Sequence, residues 1–282
     1  MKNILVPFDF SALAMHALGF AADIAAASGG QVVALYVLNV APVFGANLDS
    51  HGYGNNTAAM RADPGREAAA RFEKVRQQLK GNIRPGFRVE RGLLHQAILR
   101  VIHETEADLV VMGTKGSSGL AELLVGSNTE KVIRTAPVPV ITVHKALTVS
   151  SIRNIIIPTA ADSGQQHLMR QIKALQAFFG ARLHVLYVKT PDEKESDKAL
   201  TDILESYAAV HQLSDYSTHV THAPTEEKGV LKFSKRIPDS MIAMGTHGYT
   251  GITHLMLGSV AENVVNHTRE AVWTYRLPGA RS

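Results

Sequence analysis

Asp108-Leu-Val-Val-Met-Gly113-Thr-Lys-Gly116 and Asp239-Ser-Met-Ile-Ala-Met-Gly245-Thr-His-Gly248 decide the fold. Each is a short apolar run ending in Gly-x-x-Gly. After nine intervening residues comes a Gly-Ser pair, Gly126-Ser127 in the first copy and Gly258-Ser259 in the second. This order predicts a buried strand, a glycine-rich loop and a helix. Glycine lets the backbone turn tightly and approach a bulky anion. A helix N-terminus offers unpaired N–H groups and the positive end of its dipole, and Ser127 and Ser259 are good capping residues there. Phosphate is the ligand such a cradle suits. The competing reading is a tight turn with no ligand, and the second copy adds little against it, because duplication copies glycines whether or not a ligand is kept.

Outward from the motif, the chain is one unit written twice. At an offset of 151, Asn3-Ile4 matches Asn154-Ile155, Pro7 matches Pro158, His16 matches His167, Gly29 matches Gly180 and Tyr36-Val37 matches Tyr187-Val188. The glycine motifs match at an offset of 132, so the first unit carries 19 extra residues, expected between Val40 and Pro64. Alternating periodicities of two and 3.6 predict strands at Lys2–Pro7, Gln31–Val37, Phe87–Glu90, Asp108–Gly113 and Val138–Val143. Helices are expected at Ser11–Ala27, Arg61–Leu79, Leu93–Glu104 and Ser127–Arg134. The second unit repeats the scheme from Ile152 to Arg276, with Lys145–Ser151 as linker. The expectation is α/β: two tandem open-sheet domains, residues 1–147 and 148–282, each a parallel sheet with helices on both faces. In such sheets ligands bind beyond the carboxyl ends of the strands, where the strand order reverses. Pro7–Asp9, Val37 and the glycine loop belong to that edge, and the segment 41–56 is either a lid over it or plain surface loop.

Composition narrows the classes. The 282 residues, 45% hydrophobic and 19% charged, can build one core per unit. Net charge is +4 with no block of like charge, so nucleic acid and membrane are not expected partners. No cysteine is present, which removes disulfides and thiolate chemistry. Pro7 and Asp9 break the first apolar run too early for a signal peptide, so a cytoplasmic protein is expected. A P-loop, a dinucleotide fingerprint and a nucleophile elbow are all missing from the sequence, and no catalytic residues are assigned. His219 and His222, three apart on a strand, point to opposite faces, so no protein-held metal is expected.

These residues resemble the universal stress protein family over nearly the whole chain, as two tandem domains. The resemblance rests on Gly-x-x-Gly, nine residues and Gly-Ser in both copies, and on Val6-Pro7-Phe8-Asp9-Phe10-Ser11 in the first. It implies two five-stranded, Rossmann-like (HUP-type) sheets that bind ATP, ADP or AMP, with magnesium arriving on the phosphates. Asp9 would contact the nucleoside and Val37 would lie by the adenine. Gly113, Gly116, Gly126, Ser127 and Asn128 would hold ribose and phosphates, flanked by Pro7, Phe8, Met112, Thr114, Lys115, Gly119 and Thr129. In the second unit the matching positions are Pro158, Thr159, Val188, Met244, Gly245, Thr246, His247, Gly248, Gly258, Ser259 and Val260. One position departs: Asp9 corresponds to Ala160, whose methyl group accepts no hydrogen bond, so the first site is expected to be the tighter. Lys115 and His247 share a motif position and are either phosphate donors or exposed loop residues. The resemblance also implies pairing of final strands, here Val138–Val143 with Ala271–Arg276 as an internal pseudo-dimer; association of two chains stays open. A stress-response sensor or adaptor, a nucleotide-free interaction module and a slow ATP hydrolase are the functions left in view.

Overall fold

The central strands of this chain are apolar on both faces, and the fold gives each face a core. In β1 (Asn3–Pro7), Ile4 and Val6 face one core and Leu5 the other. The computed structural model describes residues 1–39, 63–79, 81–114, 127–247 and 257–277. The segment 41–56 and the motif residues Lys115, Gly116, Gly119, Gly126 and Gly248 lie outside the described residues.

The first unit continues with α1 (Ala12–Ser28), β2 (Gln31–Leu38), α2 (Pro64–Gln78), β3 (Gly86–Arg91), α3 (Leu94–Glu104), β4 (Leu109–Gly113), α4 (Ser127–Thr135) and β5 (Val140–Val143). The second runs β6 (Asn154–Pro158), α5 (Gln166–Phe179), β7 (Arg182–Lys189), α6 (Asp197–Val210), β8 (Tyr216–His222), α7 (Glu226–Ser234), β9 (Ser240–His247), α8 (Leu257–His267) and β10 (Ala271–Leu277). Ser11 caps α1, its hydroxyl accepting from Ala14 N–H, and Gly29 ends the helix in the left-handed region at φ 63°. The second helix starts at Pro64 rather than Arg61. Asp63 caps it, and proline suits the first helical position because its missing N–H would find no partner there.

The two expected five-stranded parallel sheets are both present, and they join through their final strands. Ten strands run in the order β3-β2-β1-β4-β5-β10-β9-β6-β7-β8. All neighbours are parallel except β5 and β10, which pair antiparallel with Ile141 opposite Trp273. Each unit thus has its strand-order reversal between its first and fourth strands, β1 with β4 and β6 with β9.

Both cores cross the junction. On one face α1 and α5 meet, with Phe20 and Phe179 stacked at 6.3 Å and Trp273 beside them in the same core. On the other face α4 and α8 meet, and Arg134 Nε donates to Glu262 Oε1 at 2.9 Å. The linker is fixed as well: Val149 N–H donates to Asp23 on α1 at 2.5 Å. Among the described residues no helix is long and apolar enough to cross a membrane.

Candidate functional site

The reversal between β1 and β4 is the place where sheets of this kind hold ligands, beyond the carboxyl ends of the strands. Register places its walls. Pro7 pairs with Leu35 and Phe8 N–H donates to Leu35 O at 2.8 Å, so Asp9 comes level with Val37 on β2. Leu5 pairs with Val110, which brings the end of β4, Gly113, beside the residues that follow β1. The first turn of α4 carries Asn128, exposed, and Thr129, buried.

Several expected residues have packing roles. Phe8 is 3% exposed, edge-on to Phe10 at 5.0 Å and to Phe72 at 5.4 Å, and its N–H is taken by Leu35. Its ring and its donor both belong to the core. Met112 and Met244 are buried core residues. The Thr114 hydroxyl sits 3.1 Å from His144 Nδ1, and the Thr246 hydroxyl donates toward Ile133 O of the first unit. Gly113 has a steric reason of its own. A Cβ there would lie 2.8 Å from Leu13 Cβ and 2.9 Å from the Leu13 carbonyl carbon, so the glycine lets α1 cross the end of β4. At Gly245 the nearest atom is the flexible end of Leu168, at 3.1 Å.

The turn leaving the first strand is the distinctive element. Phe10 and Ala161, equivalent in the repeat, both have left-handed backbones, φ 63° and 60°. For a residue with a side chain this costs about 1–2 kcal/mol, and such strain concentrates at binding sites. In the first unit Asp9 Oδ1 braces the turn by accepting from Ser11 N–H at 3.0 Å. In the second, the brace is Thr159 Oγ1, one position earlier, accepting from Ala161 N–H at 2.9 Å. The turn is conserved between the units and the carboxylate is not. Thr159 is further engaged with Gln165, 3.4 Å away, which also accepts from Tyr207 OH at 2.8 Å. Burial pushes that phenol up to about 12, so it stays a neutral donor. Asp162 caps the short 3-10 turn before α5, accepting from Gly164 N–H, as its alignment with Ser11 suggests.

Two features escape sequence reasoning. Arg71 on α2 lays its guanidinium over the Phe10 ring, 4.2 Å from the centroid, beside the Asp9 turn. A second cluster lies on the lateral strands of the other unit. His184 Nε2–H donates to Asn154 Oδ1 at 2.9 Å, while His184 Nδ1 lies 3.1 Å from His219 Nε2 and 3.2 Å from Ser217 Oγ. Burial, with His219 as a smaller cause, pushes His184 down to about 4. His222 points away to Asp197 at 2.8 Å. Among the described residues no group of three or more His, Asp or Glu is placed to hold a metal ion.

Comparisons with known proteins agree with this architecture. A family profile described as "Universal stress protein family" matches residues 1–144 and again 151–276. The universal stress protein Slr1230 of Synechocystis is 23% identical over 98% of this chain and 100% of its own. Universal stress protein MJ0531 of Methanocaldococcus jannaschii is 32% identical over 51% of this chain and 82% of its own. A crystal structure of a universal stress protein from Archaeoglobus fulgidus superposes with a TM-score of 0.69 at 20% identity, over 98% of this chain and 96% of that one.

Proposed function

This chain belongs to the universal stress protein family, and on that premise we propose that its first unit binds an adenine nucleotide, ATP or its products ADP and AMP. The observation that carries the reading is the reversal between β1 and β4, with Asp9 level with Val37 at one wall and Gly113 at the other. In this proposal Asp9 accepts from the nucleoside and the Val37 side chain packs against the base. The backbone of the glycine loop, with Ser127 and Asn128 at the start of α4, receives the phosphates through its N–H groups and dipole. Magnesium enters only as part of the nucleotide complex.

The second unit plays the lesser binding role. Ala160 offers no acceptor and the Thr159 hydroxyl already braces its turn, so any nucleotide there is held more weakly. Its part is to complete the ten-stranded sheet through β10. Occupancy of the first site biases a protein surface under stress, in a cytoplasmic sensor or adaptor rather than a fast enzyme.

Calorimetric titration of the full chain with MgATP tests this. One dominant binding event is expected, weakened by Asp9→Ala by about 0.5–1.5 kcal/mol or more, the range for a lost hydrogen bond. An unchanged affinity in that variant sinks the assigned role of Asp9.

A further inference from the structure

The duplication supplies an internal control, because one unit shows what fills a space that the other leaves open. In the first unit the Phe10 ring packs against Phe8 at 5.0 Å, Tyr36 at 5.4 Å and Phe87 at 6.4 Å, under the Arg71 guanidinium. In the second unit Phe10 is replaced by Ala161 and Phe8 by Thr159. Phe87 pairs with Ala34 as Thr218 pairs with Val185, so Thr218 stands where Phe87 does. The 132-residue offset that aligns the glycine motifs aligns Phe72 with Leu204, both fully buried, and places Ile203 at the position of Arg71. The ring, two of its three aromatic neighbours and the guanidinium are therefore lost, while Tyr36 keeps its counterpart in Tyr187.

At the positions of Phe10 and Arg71, now Ala161 and Ile203, lies a groove of about 360 Å³, lined also by Asp202, Ser206, Tyr207, Val210 and His211. Ile203 is 42% and Val210 65% exposed, two of the three large hydrophobic side chains exposed among the described residues. His211 is 6% exposed and its Nε2 is a buried polar atom with no hydrogen-bond partner. The Asp202 carboxylate is the formal charge on the lining, and no Lys or Arg lines the groove.

We propose that this groove binds a small single-ring aromatic amine, the ring taking the place of Phe10 and the cation that of Arg71. The first unit makes the same pairing, ring under cation, with its own side chains. The volume lies at the low end of small-molecule sites, enough for one ring and a short arm. An apolar floor with one carboxylate at its rim selects a cation over a neutral or anionic aromatic, because the carboxylate attracts charge of one sign only. The groove adjoins the Thr159–Ala161 turn of the second unit and lies apart from the first unit's nucleotide site, so it does not depend on that reading.

Phenethylamine is the probe, titrated into the full chain and followed by ligand-detected NMR and calorimetry. Saturable one-to-one binding is expected, about tenfold weaker in Asp202→Asn and absent in Ala161→Phe/Ile203→Arg, which rebuilds the filling of the first unit. Phe10 holds its ring at nearly the same left-handed φ as Ala161, so that substitution suits the backbone. Val210→Asn, at an exposed helix position, also weakens binding and keeps the test independent of how the double variant folds. No saturable binding to the unaltered chain, or equal binding to Val210→Asn and the filled variant, overturns the proposal. So does binding of a Phe-Arg peptide where phenethylamine does not bind, since the surface would then be a protein-docking one.

Discussion

Among single residues, the two units differ most in where the turn after the first strand finds its acceptor. Asp9 and Thr159 brace equivalent left-handed turns from adjacent sequence positions. Moving the acceptor back by one residue keeps the backbone path and withdraws the carboxylate from the site. Ala160→Asp returns it without disturbing Thr159. It is expected to tighten MgATP binding by the second unit by roughly 0.5–1.5 kcal/mol, about two- to tenfold, read by calorimetry in an Asp9→Ala background. This scale was the least legible in the sequence. The loss of the acid at Ala160 could be read from the repeat, but the substitute brace at Thr159 could not, because it depends on a φ near +60° that neither Phe10 nor Ala161 advertises. Phe8 sat in a motif and turned out to be core, since a ring following a central strand is claimed by the helices above it. Gly113 is glycine because Leu13 crosses it, a long-range contact with no local signal.

At the scale of the element, the sheet was legible nearly strand by strand. Runs such as Ile155-Ile-Ile157 and Val110-Val-Met112 are apolar without alternation, the signature of strands covered on both faces. Element ends followed local chemistry: Ser11 and Asp63 as caps, Pro64 as first helical residue, Gly29 and Gly180 as stops. The polar row across β6, β7 and β8 was hidden, because Asn154, His184, Ser217 and His219 become neighbours only once the register is set. This row makes stability depend on pH. The folded value for His184, about 4, is below the roughly 6.5 of an unfolded histidine. The unfolded chain therefore binds more protons between those values, and stability falls as pH drops from about 6.5 toward 4. His219, also lowered by burial, acts in the same direction, and both lie near Arg182. The loss from His184, screened by solvent on its exposed side, is on the order of 2 kcal/mol. Urea unfolding at a series of pH values should show this slope, and His184→Asn should make it shallower. A slope unaltered by the substitution would assign the pH dependence elsewhere.

At the scale of the whole molecule, duplication has produced a single ten-stranded body in place of two beads. The pairing of Val138–Val143 with Ala271–Arg276 was implied by the family resemblance, and the antiparallel pairing of Ile141 with Trp273 joins them. Both cores contain residues from both units, so neither half can lose its packing without exposing the other. Unfolding is accordingly expected as one transition. The fluorescence of Trp273, the only tryptophan, should change together with far-UV circular dichroism. Two resolved transitions would mean that the junction contributes little to stability. The same joining explains how one unit can keep the ligand contacts while the other, relieved of Asp at position 160, still has a role as the sheet's second half.

The central claim, a single strong adenine-nucleotide site formed around Asp9, is tested most directly by denaturing freshly purified protein and quantifying released nucleotide by chromatography. Adenine nucleotide approaching one per chain is expected, reduced in Asp9→Ala and retained in a variant altered at Thr159. Two per chain would contradict the inequality of the sites. None, together with no MgATP binding by the purified chain, would contradict the nucleotide reading itself.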